Sequence, residues 1–105
     1  MAIETVRLVE IDEYLSTEAL GKSTRRQIHA LWDDSYQIVC DFSQVLGMTG
    51  AFADEAFGKM LVEFGLDNYT DKIRFQNLND VVQAVLKGTL YRRYREMKGG
   101  PDWRN

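Results

Sequence analysis

Within residues 41–55 the chain places Asp41, Ser43, Thr49, Gly50, Asp54 and Glu55. Three carboxylates can act as a general acid and base pair. Two hydroxyls, on Ser43 and Thr49, can accept a phosphoryl group. Gly50 opens a run whose backbone N–H groups, with those of Ala51 and Phe52, would face an anion at a helix start. Each has a plainer role as well. An Asp at the end of a strand commonly accepts hydrogen bonds from the loop that follows, and a Thr before a helix commonly caps it. Asp41, Asp54 and Glu55 leave a paired-carboxylate hydrolase open, but nothing in the sequence favours it. These residues are therefore read first as candidates for binding.

The remaining reactive side chains do not assemble into known patterns. His29 is the single histidine and has no cysteine at a ligand spacing, so no metal site is expected. Cys40 sits among Ile38 and Val39 and reads as a buried, inert thiol. Ser35, Ser43, His29 and Asp41 form no nucleophile elbow, and no phosphate-binding or dinucleotide-binding glycine pattern occurs. No cofactor is expected. A second candidate surface is Tyr91-Arg92-Arg93-Tyr94-Arg95, where Arg92, Arg93 and Arg95 alternate with aromatic rings. Such a run suits nucleic acid or another anion. Its plainer reading is a helix end with Tyr94 packed and the arginines solvated.

The elements that must hold these groups can be read from periodicity. Glu4 to Ile11 is apolar and β-branched enough for a strand. Asp12 to Lys22, where Ser16, Thr17 and Gly21 interrupt the apolar Leu15, Ala19 and Leu20, reads as a loop with room for one helical turn. Ser23 reads as the cap of a helix to about Asp34 that buries Ile28, Leu31 and Trp32. Gln37 to Phe42 is an unbroken apolar strand, expected to be covered on both faces. A helix from about Ala51 to Phe64 follows. Phe52, Ala56, Met60 and Phe64 form one apolar row, and Ala53, Phe57 and Leu61 the next. Asp54, Glu55, Lys59 and Glu63 should point away from that face, with Glu55 and Lys59 as an i,i+4 pair. Gly58 inside the helix implies a close neighbour, the sheet or the first helix. Gly65 ends the helix. Asp67 to Asp71 reads as a turn and Lys72 to Phe75 as a third strand, with a further short strand possible near the N-terminus. Asn77, with Asp80 three residues on, should cap a last helix that Gly99-Gly100-Pro101 stops. The order is βαβαβα, an α/β class with a short, mostly parallel sheet packed by helices. Residues 1–98 form one domain, and 99–105 a short tail.

The strand end Asp41-Phe42-Ser43 with Val45, and the helix residues Phe52, Ala53, Asp54, Glu55, Phe57 and Gly58, resemble the STAS-like domains of unknown function. These are relatives of sulfate-transporter and anti-sigma-factor-antagonist domains. The resemblance implies a small STAS-like sandwich with helices chiefly on one side. It also implies a regulatory or adaptor role toward a protein partner, such as a kinase-like ATPase or a component of a bacterial or phage system. Antagonists of this fold are switched by phosphorylation just before the helix. The family's paired serines there are Gly50 and Ala51 in this chain. A switch would therefore have to use Thr49, and repulsion from Asp41, Asp54 and Glu55 argues against it.

Bulk properties frame these readings. One cysteine in 105 residues excludes an internal disulfide and fits a reducing cytoplasm. No apolar run approaches the ~20 residues of a membrane span. From Lys87 onward six basic and two acidic residues give +4, while residues 1–86 carry 7 basic and 14 acidic, giving −7. The function expected from the sequence is thus non-catalytic protein binding around Asp41 to Glu55. Nucleic-acid or anion binding by the basic C-terminal helix is the alternative, and a carboxylate enzyme ranks last.

Overall fold

The computed structural model describes residues 2–99. Strand β1 (Ala2–Arg7) runs into a single 3-10 turn (Leu8–Glu10), and the short strand β2 (Tyr14–Leu15) follows. Helix α1 (Glu18–Leu31) leads to β3 (Ser35–Asp41), then β4 (Gly47–Met48). The central helix, residues 50–64, is one rod in three parts: α2 (Gly50–Ala53), a π-helical stretch (Asp54–Gly58) and α3 (Lys59–Phe64). Helix α4 (Leu66–Lys72), β5 (Ile73–Gln76) and α5 (Asp80–Gly99) complete the chain. The main sheet has the order β1-β3-β5, all parallel, and β2 pairs with β4 in a separate parallel ribbon. The expected βαβαβα order holds, with the ribbon and α4 added.

Several boundaries differ from the sequence reading, each for a local reason. The first strand stops at Arg7 because Leu8 turns inward and its carbonyl accepts from Ile11 and Asp12. The segment read as a loop holds β2 and the start of α1. Thr17, not Ser23, is the cap, its side chain accepting from the Leu20 N–H. The segment 67–71 is helical, not a turn: α4 begins directly after Gly65, whose φ of 82° suits only glycine. The last helix is capped by Asn79, which accepts from the Val82 N–H at 2.8 Å, and not by Asn77. The expected stop signal Gly100-Pro101 and the rest of the tail lie outside the described residues.

β3 is not covered on both faces. Ile38 and Cys40 are buried, Tyr36 is exposed, and Gln37 and Val39 are half-buried. Such alternation means that only one face of this three-stranded sheet is sealed by helices. On that face Phe57 meets Phe42, Phe75 and Phe52, with ring centroids 5.9, 5.3 and 6.2 Å apart. Both apolar rows of the central helix are in the core, with Phe64 partly buried against it.

The π-helical stretch marks where this helix is squeezed. The Lys59 N–H bonds Asp54 O, five residues back. Widening a helix this way disturbs the regular pairing of its carbonyls. Two carbonyls of the stretch take donors from elsewhere: Phe57 O accepts from the buried Tyr69 hydroxyl at 3.0 Å, and Glu55 O from Arg25 Nη1 at 2.6 Å. Both flanks of the rod are covered. A Cβ on Gly21 of α1 would lie 2.7 Å from Glu55 Cβ and 2.9 Å from Phe52 O. A Cβ on Gly58 would meet Asp54 Oδ1 at 2.5 Å, Arg93 Cγ at 3.2 Å and Thr89 Cγ2 at 3.3 Å. Gly58 therefore packs on α5, not on the sheet or α1 as expected, and Gly21 is where α1 comes close to the central helix.

Candidate functional site

The carboxyl end of β3 is built around one oxygen. Asp41 Oδ1 accepts from the Ser43 N–H at 3.0 Å, the Ser43 hydroxyl at 2.8 Å and Asn77 Nδ2 at 2.9 Å. These donors, Asn77 foremost, hold the carboxyl below its ordinary range. Asn77 reaches Asp41 from a left-handed backbone, φ 62°, which Asn tolerates well. Gln44, just past Ser43, is also at positive φ, 69°. So Asp41 and Ser43 come together, as a loop clasp between the ends of β3 and β5. Asn79 adds a second tie, donating through Nδ2 to Val45 O at 3.1 Å and Leu46 O at 3.4 Å.

Thr49 caps the central helix. Its Oγ1 accepts from the Phe52 N–H at 3.2 Å and donates to Ser16 O at 3.0 Å. Its own N–H bonds Leu15 O at 2.9 Å. Thr49 and Gly50 are both exposed. The ribbon beside them pairs Tyr14 with Gly47, and Glu13 O accepts from the Leu46 N–H at 2.8 Å. On this hydrogen-bonded frame Tyr14 is 59% exposed and Leu46 49%.

Asp54 and Glu55 do not join this surface, contrary to expectation. Asp54 takes Arg93 in a two-pronged pair, Nε to Oδ1 at 2.7 Å and Nη2 to Oδ2 at 2.6 Å, with Arg92 Nη2 at 3.3 Å from Oδ1. Glu55 is only 8% exposed. It lies between Lys59 Nζ, 2.7 Å away, and Arg25 Nη1, 3.1 Å away. The i,i+4 pair is present, but α1 covers the glutamate. The Arg93 hydrogen bonds for Asp54, and the Lys59 bond first for Glu55, hold both carboxyls below their usual values against the opposing effect of burial. Their charges are thus met by cations of their own. Repulsion from them no longer argues against a phosphate on Thr49; the engagement of its hydroxyl with Ser16 and Phe52 does.

The other candidates sort as follows. Burial pushes the Cys40 thiol up to about 12, which leaves it protonated and unreactive. His29 Nε2 sits 2.8 Å from Glu63 Oε2. Among the described residues no group of three or more His, Cys, Asp or Glu side chains is placed to hold a metal ion. No helix among them is long and apolar enough to cross a membrane. Of the three arginines of the basic run, Arg93 is a half-buried structural partner of Asp54 and not a solvated charge. Arg92 joins the same aspartate, and Arg95 lies over the Tyr91 ring, 5.7 Å from its centroid.

Sequence reasoning missed Asn77 as the partner of Asp41, Arg25 as the partner of Glu55, Tyr69 as donor to the central helix, and Tyr14. For two features a signal was present. Thr17-Glu18 is a cap followed by a first-turn acid, and Asn79-Asp80 repeats that pattern before α5. The long-range pairs carry no local mark.

A family model described as a STAS-like domain of unknown function matches residues 21–83. That span holds Asp41, Ser43, Thr49, Gly50, Asp54 and Glu55 and excludes Arg92, Arg93 and Arg95. Searches of curated proteins and of solved structures give no significant match. With more than half of the chain matched, and a mixed α/β fold with small parallel sheets to go with it, this chain belongs to the STAS-like domains of unknown function.

Proposed function

We propose that this domain is a non-catalytic protein-binding module of a regulatory system. Its partner meets the surface at the carboxyl end of β3, running from Ser43 to Gly50 with Tyr14 beside it. The observation that carries this reading is the pair of exposed apolar side chains, Tyr14 and Leu46, fixed on a hydrogen-bonded ribbon beside the cap residue Thr49. A rigid frame with apolar contacts already in place loses little order on binding. Catalysis fits less well. Asp41, Asp54 and Glu55 each hold their charge against internal donors, so none is poised near neutral pH as a general acid or base. Asp54 and Glu55 serve the module by fixing the central helix between α1 and α5.

The resemblance to antagonist domains suggests a kinase-like ATPase, or another component of a multi-part bacterial or phage system, as the partner. Binding is constitutive in this reading, because Gly50 and Ala51 offer no hydroxyl and that of Thr49 is engaged. Affinity capture from host lysate with the wild-type domain and with Leu46→Arg tests it. Proteins recovered by the wild type and lost with Leu46→Arg, at unchanged melting temperature, are expected. Equal recovery by both would mean that the partner does not bind this surface.

A further inference from the structure

The molecule carries a second surface that suits a ligand and shares no lining residue with the Ser43-to-Gly50 surface, the Thr49 rim. Between α4, β5 and α5 runs a groove of about 530 Å³, walled by Leu61, Leu66, Tyr69, Phe75, Leu90 and Tyr94. It shares Phe75 and Leu90 with a smaller hollow of about 220 Å³ that extends along α5 past Leu86. Ile73, Arg74 and Phe75 all line the groove. Side chains alternate along a strand, so three consecutive lining residues mean that the groove follows the edge of β5 and not one of its faces. That edge is the outer one of the sheet order β1-β3-β5.

The charged residues that line this groove have one sign. Arg74 and Lys87 are the ionisable cations of its lining, and no carboxylate lines either part. Two more cations stand over its aromatic residues: Arg95 over Tyr91, and Lys98 over Tyr94 at 5.9 Å. Tyr91 is 62% exposed. Four cations around an apolar trough, on a chain of net charge −3, are a local reversal of the molecule's overall sign. Arg92 and Arg93 pair with Asp54 instead. Arg74 and Lys87 line the groove, Arg74 also donating to Ile73 O, while Arg95 and Lys98 stand over Tyr91 and Tyr94.

We propose that this groove binds an acidic peptide segment of a partner protein, with aliphatic or aromatic anchors seated between α4 and α5 and carboxylates set against Arg74, Lys87, Arg95 and Lys98. Apolar anchors supply affinity in the trough, and the cations around it select and steer the acidic flanks. Binding therefore weakens as salt rises. This surface is independent of the Thr49 rim, so either can fail without the other.

The test is a backbone-amide NMR titration of the whole chain with two synthetic peptides. Both carry leucine and tryptophan anchors at the same spacing. One has Asp and Glu between them, and the other has Lys and Arg. The acidic peptide is expected to shift Leu66, Arg74, Phe75, Leu90 and Tyr91, with at least tenfold weaker binding in the variant Arg74→Glu/Lys87→Glu and weaker binding in high salt. Tyr91→Ala, a change at an exposed position, should weaken both peptides while leaving the fold intact. Equal binding of the two peptides, shifts confined to residues around Tyr14 and Thr49, or no shifts would overturn the proposal. So would concentration-dependent shifts of the groove without peptide, which would give it to a second copy. Changes at the groove when residues 100–105 are removed would give it to the chain's own end.

Discussion

Asp54 and Arg93 show how a residue can look like surface chemistry and serve the fold. Their two-pronged pair is about three-quarters buried on the arginine side, where 25% of the side chain is exposed. Arg93→Gln removes hydrogen bonds to a charged group and leaves Asp54 with Arg92 alone. We expect a loss of about 1.5–3 kcal/mol in urea melts. Arg26→Gln, at an exposed position of α1, should lose about 0.5 kcal/mol or less. Equal costs would return Arg93 to the surface. The same pair has a pH signature. Asp54, Glu55 and Asp41 all have folded-state pKa values below their ordinary ones. Their contribution to stability is therefore full above the unfolded values, about 4. It is lost as pH falls through the lower folded values. Wild-type stability should drop on acidification below about pH 4, and Arg93→Gln should drop less steeply, since part of that contribution is already gone. The sequence marked Asp41 and Asp54 as ionisable groups of interest but could not assign their partners. Asn77 and Arg93 are 36 and 39 residues away along the chain, and no local pattern encodes such pairs.

At the scale of elements, the central helix was the most legible part, because two apolar rows at a spacing of four leave little choice of phase. Phe57, with no exposed surface and three ring neighbours, should cost about 3–5 kcal/mol as Phe57→Ala. A denaturant melt showing under about 1 kcal/mol would undo the assigned core. What the periodicity could not show is that both flanks of the helix are covered as well, which is why Glu55 and Gly58 are buried against its pattern. The π-helical stretch and its outside donors, Tyr69 and Arg25, have no sequence signature at all. The first helix was placed late because Gly21 reads as a breaker, whereas it is the point where α1 approaches the central helix. Two glycine replacements separate these cases. Gly21→Ala meets Glu55 Cβ and a backbone carbonyl, and should destabilise by about 1–3 kcal/mol. Gly88→Ala meets nothing within 4 Å and should stabilise by about 0.5–1 kcal/mol, as alanine does in an open helix position. Thermal melts of the two variants must move in opposite directions; a stabilising Gly21→Ala would mean that α1 lies elsewhere.

At the scale of the whole molecule, the STAS-like architecture was legible from thirty residues around β3 and the central helix, whereas its second surface was not. The groove beside β5 exists because α4, which read as a turn, is a helix that raises one wall against α5. If both proposals hold, the Thr49 rim and that groove are two binding faces on one frame, which would let the domain join partners. In the proposed function the rim at Thr49 binds its partner without a phosphate switch. Thr49→Asn keeps a capping side chain and offers nothing to phosphorylate, so it should hold the partner as well as wild type. The most direct measurement is the intact mass of the domain isolated from its own host in complex with that partner. The bound fraction is expected at the mass of the unmodified chain. A bound fraction carrying one phosphoryl group on Thr49 in every molecule would contradict it.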